Sequence, residues 1–293
     1  MIDRIDHIVC VTPHLTAASA AYQRLGLVLT PETRNAGTGV ANRALFVGNS
    51  PGDFCYLELL TVFEAQRARA TGRTGYVEAM SRGGGATGLV FGVEDLAAVS
   101  ARLEARGYPA PVESVHRDDG AKVIDIAVVQ TRGAVPFRVS VAQYPETWTA
   151  RYERSQAAGR FAHTFPLKRL DHLAAVAPDL EAATRFWAEV FEVPVHGEIR
   201  TESLVIRQLK IGDAILELLG PAAPSSPIAS RPAGLASVAA WEVAGALDDA
   251  VALARDRGFT CPDPEPGVIP GTRRTTIPAT ELGGIAMQLL EYV

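Results

Sequence analysis

The sequence predicts an α+β fold assembled from four β-α-β-β-β units. Three observations carry this prediction: the two halves of the chain repeat one another, each half alternates strands with helices, and the composition is that of a folded protein. Of the 293 residues, 47% are hydrophobic and 21% are charged, so the chain can bury a substantial core. An internal repeat of this length indicates that similar supersecondary units pack side by side.

The clearest repeat relates residues 5–15 to residues 170–180. Both segments read as an apolar residue, Asp, His, a short apolar strand and then Pro-x-Leu. The elements that follow are helical patterns at 17–25 and 181–191 and short strands with a single acidic residue at 55–60 and 214–219. These elements define units one and three.

Two weaker copies define units two and four. Each begins with an apolar strand, continues into an amphipathic helix that a glycine stops, and ends in another strand. Their parts are the strands 88–96 and 238–243, the helices 97–106 and 247–257, the glycines Gly107 and Gly258, and the final strands 137–142 and 285–290.

The domain boundary is predicted near residues 146–168, which read as a polar linker helix with Trp148 and Tyr152. This segment divides the chain into one domain at 1–145 and a second at 169–293. Consecutive units are expected to pair, because consecutive elements are usually neighbours. Pairing of unit one with unit three or unit four stays open at this stage.

A β-α-β-β-β unit with His on its first strand and Glu on its last strand resembles the vicinal oxygen chelate superfamily, which includes glyoxalases, bleomycin resistance proteins and extradiol dioxygenases. Residues 37–42, followed by Tyr56–Leu60, resemble the glyoxalase-like domain branch in particular. The resemblance covers the chain as four units. It implies two curved-sheet barrels, with a site in a funnel formed by two units.

The candidate metal ligands are His7 with Glu58 and, in the second half, His172 with Glu217. A carboxylate inside an apolar strand is costly to bury unless it reaches solvent or something positive. Imidazole nitrogen and carboxylate oxygen are ligands of divalent ions, so we predict a Zn, Ni, Mn, Co or Fe cofactor. The ordinary alternatives are a hydrogen-bonded core histidine and a carboxylate on an exposed strand face, and the repetition of the pair favours the site.

Units two and four offer weaker ligands. Unit two has Gly88 on its first strand and Val139 or Ser140 on its last, whereas unit four has Val238 or Ser237 and Gln288. The resemblance makes glutamine an acceptable ligand. Three sets stay open: His172, Glu217 and Gln288 if units three and four pair; His7, Glu58 and Gln288 if units one and four pair; and both His/Glu pairs if units one and three pair.

Further polar residues are predicted to contact substrate. His116 and Arg117 precede a turn in unit two, and Arg273 holds a similar place in unit four, where a basic group could bind an anionic substrate. Two glycine motifs are rejected on context. Residues 48–52 match G-x-S-x-G but lie between strands, and 83–88 match G-x-G-x-x-G but precede a strand rather than a helix.

The first functional hypothesis is a glyoxalase-like metal-dependent enzyme, an isomerase, epimerase or lyase. A divalent ion would chelate neighbouring oxygens of a small substrate and stabilise negative charge, and Glu217 or Glu58 would move the proton. The alternatives are a protein that binds a small molecule without catalysis and, with less support, a ring-cleaving dioxygenase. The dioxygenase requires a second His, and Gly88 and Val238 hold those positions.

Composition limits the partners. The net charge of −5 gives no electrostatic reason to expect nucleic acid or an anionic membrane, so we predict a small-molecule substrate or ligand, with a homodimer as the candidate assembly. Three widely spaced cysteines and the absence of a leader pattern predict a reduced, cytoplasmic protein.

Overall fold

The computed structural model describes residues 1–116 and 120–293. The strands are β1 (Arg4–Val11), β2 (Thr33–Asn35), β3 (Val40–Val47), β4 (Cys55–Val62), β5 (Gly85–Gly92), β6 (Val112–His116), β7 (Lys122–Val128), β8 (Arg138–Gln143), β9 (Leu167–Val176), β10 (Val195–Arg200), β11 (Leu204–Ile211), β12 (Ala214–Pro221), β13 (Gly234–Val243), β14 (Glu265–Pro266), β15 (Thr272–Ile277) and β16 (Ala286–Tyr292). The helices are α1 (Leu15–Arg24), α2 (Ala65–Ala70), α3 (Thr74–Ser81), α4 (Leu96–Ala105), α5 (Trp148–Ala157), α6 (Leu180–Arg185) and α7 (Leu247–Asp256), with a short 3-10 helix at Pro227–Ser230.

The strands form two curved eight-stranded sheets with the same internal order. The first sheet runs β2-β3-β4-β1-β5-β8-β7-β6, and the second runs β10-β11-β12-β9-β13-β16-β15-β14. Each sheet therefore joins two consecutive β-α-β-β-β units through their first strands. The predicted α+β fold of four units is confirmed, and the sheets use the sequential pairing.

Local sequence explains where the helices begin and end. Asp95 caps α4 by accepting a hydrogen bond from the Ala98 N–H at 2.9 Å, and Asp179 caps α6 in the same way. Gly107 follows α4 with a φ of 83°, a left-handed conformation that glycine adopts without strain. The predicted glycine stop is therefore observed.

The helix predicted at 181–191 has a more complex course. α6 ends at Arg185 and continues as a π-helical turn, Phe186–Val190. Trp187 and Phe186 are buried in this turn. Glu192, which follows, has a φ of 61°, a left-handed conformation rarely adopted by a non-glycine residue.

The chain separates into two compact units that draw on both sequence halves. The first contains Met1–His7, Gly88–Arg151 and His172–Ala236, and the second contains Ile8–Thr87, Tyr152–Asp171 and Ser237–Val293. The division into domains 1–145 and 169–293 stays a prediction, and α5 lies within the predicted linker helix 146–168. Across the described ranges, no helix is both long enough and apolar enough to span a bilayer.

The turn between β3 and β4, the strand that carries Glu58, depends on Gly48. Its φ is 142°, and a Cβ there would lie 2.4 Å from the Phe54 Cα. We expect Gly48→Ala to lower the free energy of unfolding by at least about 2 kcal/mol, because both strain and a backbone clash are introduced. Gly72 has a φ of 75° with no atom within 4 Å, so Gly72→Ala is the matched control with strain alone. Equal losses for the two variants in urea denaturation would contradict the prediction.

His163 connects two backbone groups and makes stability depend on pH. Its Nδ1 accepts from the Val28 N–H at 3.0 Å, and its Nε2 donates to the Phe46 carbonyl at 2.7 Å, which requires the neutral ring. Burial lowers the pKa of His163, partly offset by the hydrogen bond to Phe46. Because the pKa in the folded chain lies below the ordinary value, the unfolded chain binds more protons, and stability falls as pH drops below about 6.5.

His163→Ala should therefore be destabilising at pH 7, by about 1–3 kcal/mol for the unsatisfied backbone groups. Its deficit relative to the unmodified chain should shrink when both are measured near pH 5, since only the unmodified chain carries this penalty. A deficit that stays constant between the two pH values would show that the ring does not resist protonation.

Candidate functional site

His172 and Glu217 lie on neighbouring parallel strands, β9 and β12. His172 is directly opposite Ile215, and Glu217 follows two residues later. Because side chains alternate along a strand, Glu217 projects from the same face of the sheet as His172. Adjacent strands are about 4.8 Å apart and two residues rise about 6.6 Å, so both side chains can reach one ion between them.

Glu217 is a buried carboxylate whose hydrogen-bond partner is a neutral amide. It is 7% exposed, and its Oε1 accepts a hydrogen bond at 3.0 Å from Nε2 of Gln208, which lies directly opposite on β11. Within residues 1–116 and 120–293, no Lys, Arg or His side chain forms an ion pair with Glu217. A buried charge that meets only a neutral amide is costly, so a cation bound here would be stabilised.

The first half repeats the amide–carboxylate pair. Glu58 on β4 lies opposite Ala44, and Asn42, two residues earlier on β3, donates from Nδ2 to the Glu58 Oε1. Asn42 therefore does for Glu58 what Gln208 does for Glu217. The two amides orient the carboxylates that the sequence identified, and neither amide was predicted from the residue pattern.

His7 lies on β1 and is 5% exposed. Its Nδ1 is 2.6 Å from Oδ2 of the preceding Asp6, whose Oδ1 accepts from Arg151 at 2.5 Å. Burial alone would raise the pKa of Asp6, but the charge of Arg151 and the hydrogen bonds from His7 and Arg151 outweigh it and hold the pKa well below its usual range. Asp6 is therefore an anion in the folded protein.

Asp171, the equivalent of Asp6 in the second half, has similar partners. Its Oδ2 accepts from the Tyr292 hydroxyl at 2.9 Å and from Arg169 at 3.2 Å. Burial raises the pKa of Tyr292 to about 12, with the negative charge of Asp171 acting in the same direction. In each half, the aspartate that precedes the candidate histidine thus accepts hydrogen bonds from a tyrosine and an arginine.

Strand register fixes the equivalent positions in units two and four. Gly88 is opposite Arg138, so the position two residues on is Ser140 rather than Val139. Val238 is opposite Ala286, and the position two residues on is Gln288. Gln288 is half-buried on β16 and stays a predicted ligand.

The predicted substrate contacts have different surroundings. His116 ends β6 with an exposed side chain, and Arg117 lies outside the described residues. Arg273 on β15 pairs with Asp248 at 2.9 Å and with Glu291 at 3.3 Å. An anionic substrate would have to compete with both carboxylates, so the role of Arg273 stays a prediction.

The donors of the second half suit a divalent ion. In the ranges that the structure describes, no three His, Cys, Asp or Glu side chains converge in an arrangement that could hold a metal. His172 and Glu217 supply one nitrogen and one oxygen, both ordinary ligand types, and the buried charge of Glu217 favours a cation.

Comparisons with known proteins identify the family of the chain. A family model described as "Glyoxalase-like domain" matches residues 5–169. A second, described as "Glyoxalase/Bleomycin resistance protein/Dioxygenase superfamily", matches residues 171–274. A search of curated proteins returned no match.

Solved structures that match nearly the whole chain share its fold at low sequence identity. A hypothetical protein from Staphylococcus aureus is 12% identical, covers 99% of each chain and gives a TM-score of 0.69. A triple mutant of 4-hydroxymandelate synthase from Streptomyces coelicolor is 17% identical, with a TM-score of 0.67 over 100% of this chain and 93% of its own. Methylmalonyl-CoA epimerase from Mycobacterium tuberculosis is 22% identical and covers 44% of this chain and 91% of its own, with a TM-score of 0.40.

Proposed function

Because the chain belongs to the glyoxalase-like domain family, within the vicinal oxygen chelate superfamily, we propose that it is a metal-dependent isomerase, epimerase or lyase. Its substrate is a small molecule with two oxygens on neighbouring carbons. The proposed centre is built on His172 and Glu217, and His7, Glu58 and Gln288 remain predicted ligands on the strength of the repeat.

One observation carries the proposal: Glu217 is buried and carries no ion pair in the described ranges, on the same sheet face as His172. A fold has no structural need for a lone buried carboxylate, since a neutral residue of the same shape is cheaper to bury. A strand face that combines such a carboxylate with an imidazole is suited to holding a cation.

The residues of this chain would divide the chemistry as follows. A divalent ion held by His172 and Glu217 supplies Lewis-acid stabilisation of charge on the substrate oxygens. Glu217 removes the proton from the carbon beside a substrate carbonyl and returns it to the same or a neighbouring carbon. Gln208, through its hydrogen bond to the Glu217 Oε1, fixes the orientation of that carboxylate.

Ring-cleaving dioxygenase chemistry has weaker support. It requires two imidazoles and one carboxylate on iron. Strand register places Gly88 and Val238 at the first-strand positions of units two and four, where a second histidine would be expected. The structural likeness to 4-hydroxymandelate synthase shows the fold alone.

A binding protein without catalysis is the second candidate. The observation in its favour is that no three His, Cys, Asp or Glu side chains converge in the described part of the chain. Such a protein would be stabilised by its ligand without turning it over. The same preparation tests both candidates.

The test is metal binding followed by proton exchange. The purified full chain is stripped of metal, titrated separately with Zn²⁺, Mn²⁺, Co²⁺ and Ni²⁺, and analysed for bound metal. His172→Ala should bind one metal equivalent fewer per chain, whereas His196→Ala, which removes an exposed histidine on β10, should not differ from the unmodified chain.

The metal-loaded chain is then incubated with small α-hydroxycarbonyl compounds in D₂O. Metal-dependent deuterium incorporation at carbon supports the enzyme. Thermal stabilisation by the same compounds without exchange supports the binding protein. Equal metal content in His172→Ala and the unmodified chain would refute the proposed centre.

A further inference from the structure

We infer that Asp6 and Arg151 are positioning residues that set the orientation and the protonated nitrogen of His7, with Arg151 supplied by the helix between the sequence halves. The inference rests on the proposed function in taking His7 as a metal ligand. It assigns to α5 a role that the sequence treated as that of a linker.

The first observation is that hydrogen-bond donors surround the Asp6 carboxylate. This residue is 1% exposed, and three donors surround its carboxylate. Arg151 donates to Oδ1 at 2.5 Å, the Tyr144 hydroxyl donates to Oδ2 at 2.8 Å, and the His7 Nδ1 lies 2.6 Å from the same Oδ2. A carboxylate held at both oxygens has little freedom to turn, so it presents a fixed acceptor to the imidazole.

The second step is the rigidity of Arg151. The residue is 4% exposed, and its guanidinium lies over the Tyr144 ring at 3.5 Å and near the Trp148 ring at 5.2 Å. Trp148 in turn packs against Arg4 and Gly92, and a Cβ at Gly92 would lie 2.4 Å from the indole. Aromatic packing therefore holds the cation in place, in a setting where stacked arginine cannot be exchanged for lysine without loss.

The third step is the chemistry at the ring. The Asp6 Oδ2 lies 2.6 Å from Nδ1 of His7, a geometry that selects the tautomer in which Nδ1 donates to the carboxylate and Nε2 is the nitrogen that would face a metal. A carboxylate that orients a metal-binding imidazole in this way typically changes metal affinity by about 10- to 100-fold. Arg151 acts one step further out, because its hydrogen bond to Oδ1 and its stacked position on Tyr144 hold the Asp6 carboxylate in place.

The internal repeat argues that this arrangement serves the histidine rather than the fold alone. The second half again places a tyrosine hydroxyl and an arginine on the aspartate that precedes the candidate histidine. The aspartates and tyrosines hold equivalent places, whereas the arginines do not: Arg151 comes from α5, and Arg169 comes from β9 itself. The same set of contacts has therefore been built by two different routes.

The experiment determines which nitrogen of the His7 imidazole carries the proton in the metal-free protein, and then measures Zn²⁺ affinity. The full chain is labelled with ¹⁵N-histidine, and two-bond nitrogen–proton correlations assign the protonated nitrogen of His7 in the metal-free protein. We expect the Nδ1–H form in the unmodified chain and loss of its dominance in Asp6→Asn and Arg151→Met. Arg154→Met, an exposed position three residues along the same helix, is the matched control.

Zn²⁺ affinity is measured in a His172→Ala background, so that only the first half contributes. We expect Arg151→Met to weaken binding about 10- to 100-fold and Arg151→Lys to restore part of it. If Arg151→Met does not fold, Tyr144→Phe, which removes one neutral donor, should still shift the His7 signals and weaken binding by a smaller factor.

The outcomes separate the two claims. An unchanged His7 tautomer and an unchanged Zn²⁺ affinity in Arg151→Met would overturn the inference while leaving the metal centre intact. Absence of Zn²⁺ binding in the unmodified chain would refute the proposed function, and the tautomer measurement would still test the positioning of His7.

Discussion

Replacing Glu217 by Gln is expected to weaken metal binding at His172 while making the metal-free protein more stable. The side chain keeps its shape and its hydrogen bond to Gln208, but the buried charge disappears. Replacing the charged carboxylate ligand by a neutral amide should lower metal affinity on the order of 100-fold, at the upper end of the effect of an orienting residue. Relief of the buried charge should raise the free energy of unfolding by about 1–3 kcal/mol.

This opposition between stability and function is typical of a site rather than of a structural residue. The measurements are isothermal titration with Zn²⁺ and urea denaturation in the presence of a chelator. Glu202→Gln, at an exposed acidic residue in the turn before β11, is the matched control and should change neither quantity. If Glu217→Gln lowered stability in the chelator, Glu217 would be a structural residue and the account of its burial would fail.

The second large effect is expected at Arg151. Arg151→Met leaves the Asp6 carboxylate buried without its cation, and such a loss destabilises proteins by about 3–5 kcal/mol. The free energy of unfolding is compared among the unmodified chain, Asp6→Asn, Arg151→Met and the double variant. Because the double variant removes both charges, it should be more stable than Arg151→Met alone, and denaturation of the four proteins forms a double-mutant cycle. Additive losses would mean that the two side chains are not coupled.

The fold could be predicted because the information is local and occurs more than once. The Asp-His-strand-Pro-x-Leu pattern occurs at the beginning of each sequence half, and glycines such as Gly107 mark where helices end. A carboxylate alone in an apolar strand makes Glu217 a candidate, because the residue pattern already indicates that burying it is costly.

The rest depends on contacts between distant residues. Arg151 reaches Asp6 across 145 residues, and nothing in the polar pattern of α5 distinguishes Arg151 from the exposed Arg154 on the same helix. The pairing of Gln208 with Glu217 follows from strand register, which a one-residue slip would reverse. The π-helical turn at 186–190 likewise follows from tertiary packing around Trp187.

The most direct test of the central claim is a crystal of the full chain soaked with Co²⁺, with anomalous diffraction recorded at the cobalt edge. The account predicts an anomalous peak in coordinating contact with an imidazole nitrogen of His172 and a carboxylate oxygen of Glu217. Peaks confined to surface groups, with the His172 and Glu217 side chains in contact with protein atoms alone, would contradict it.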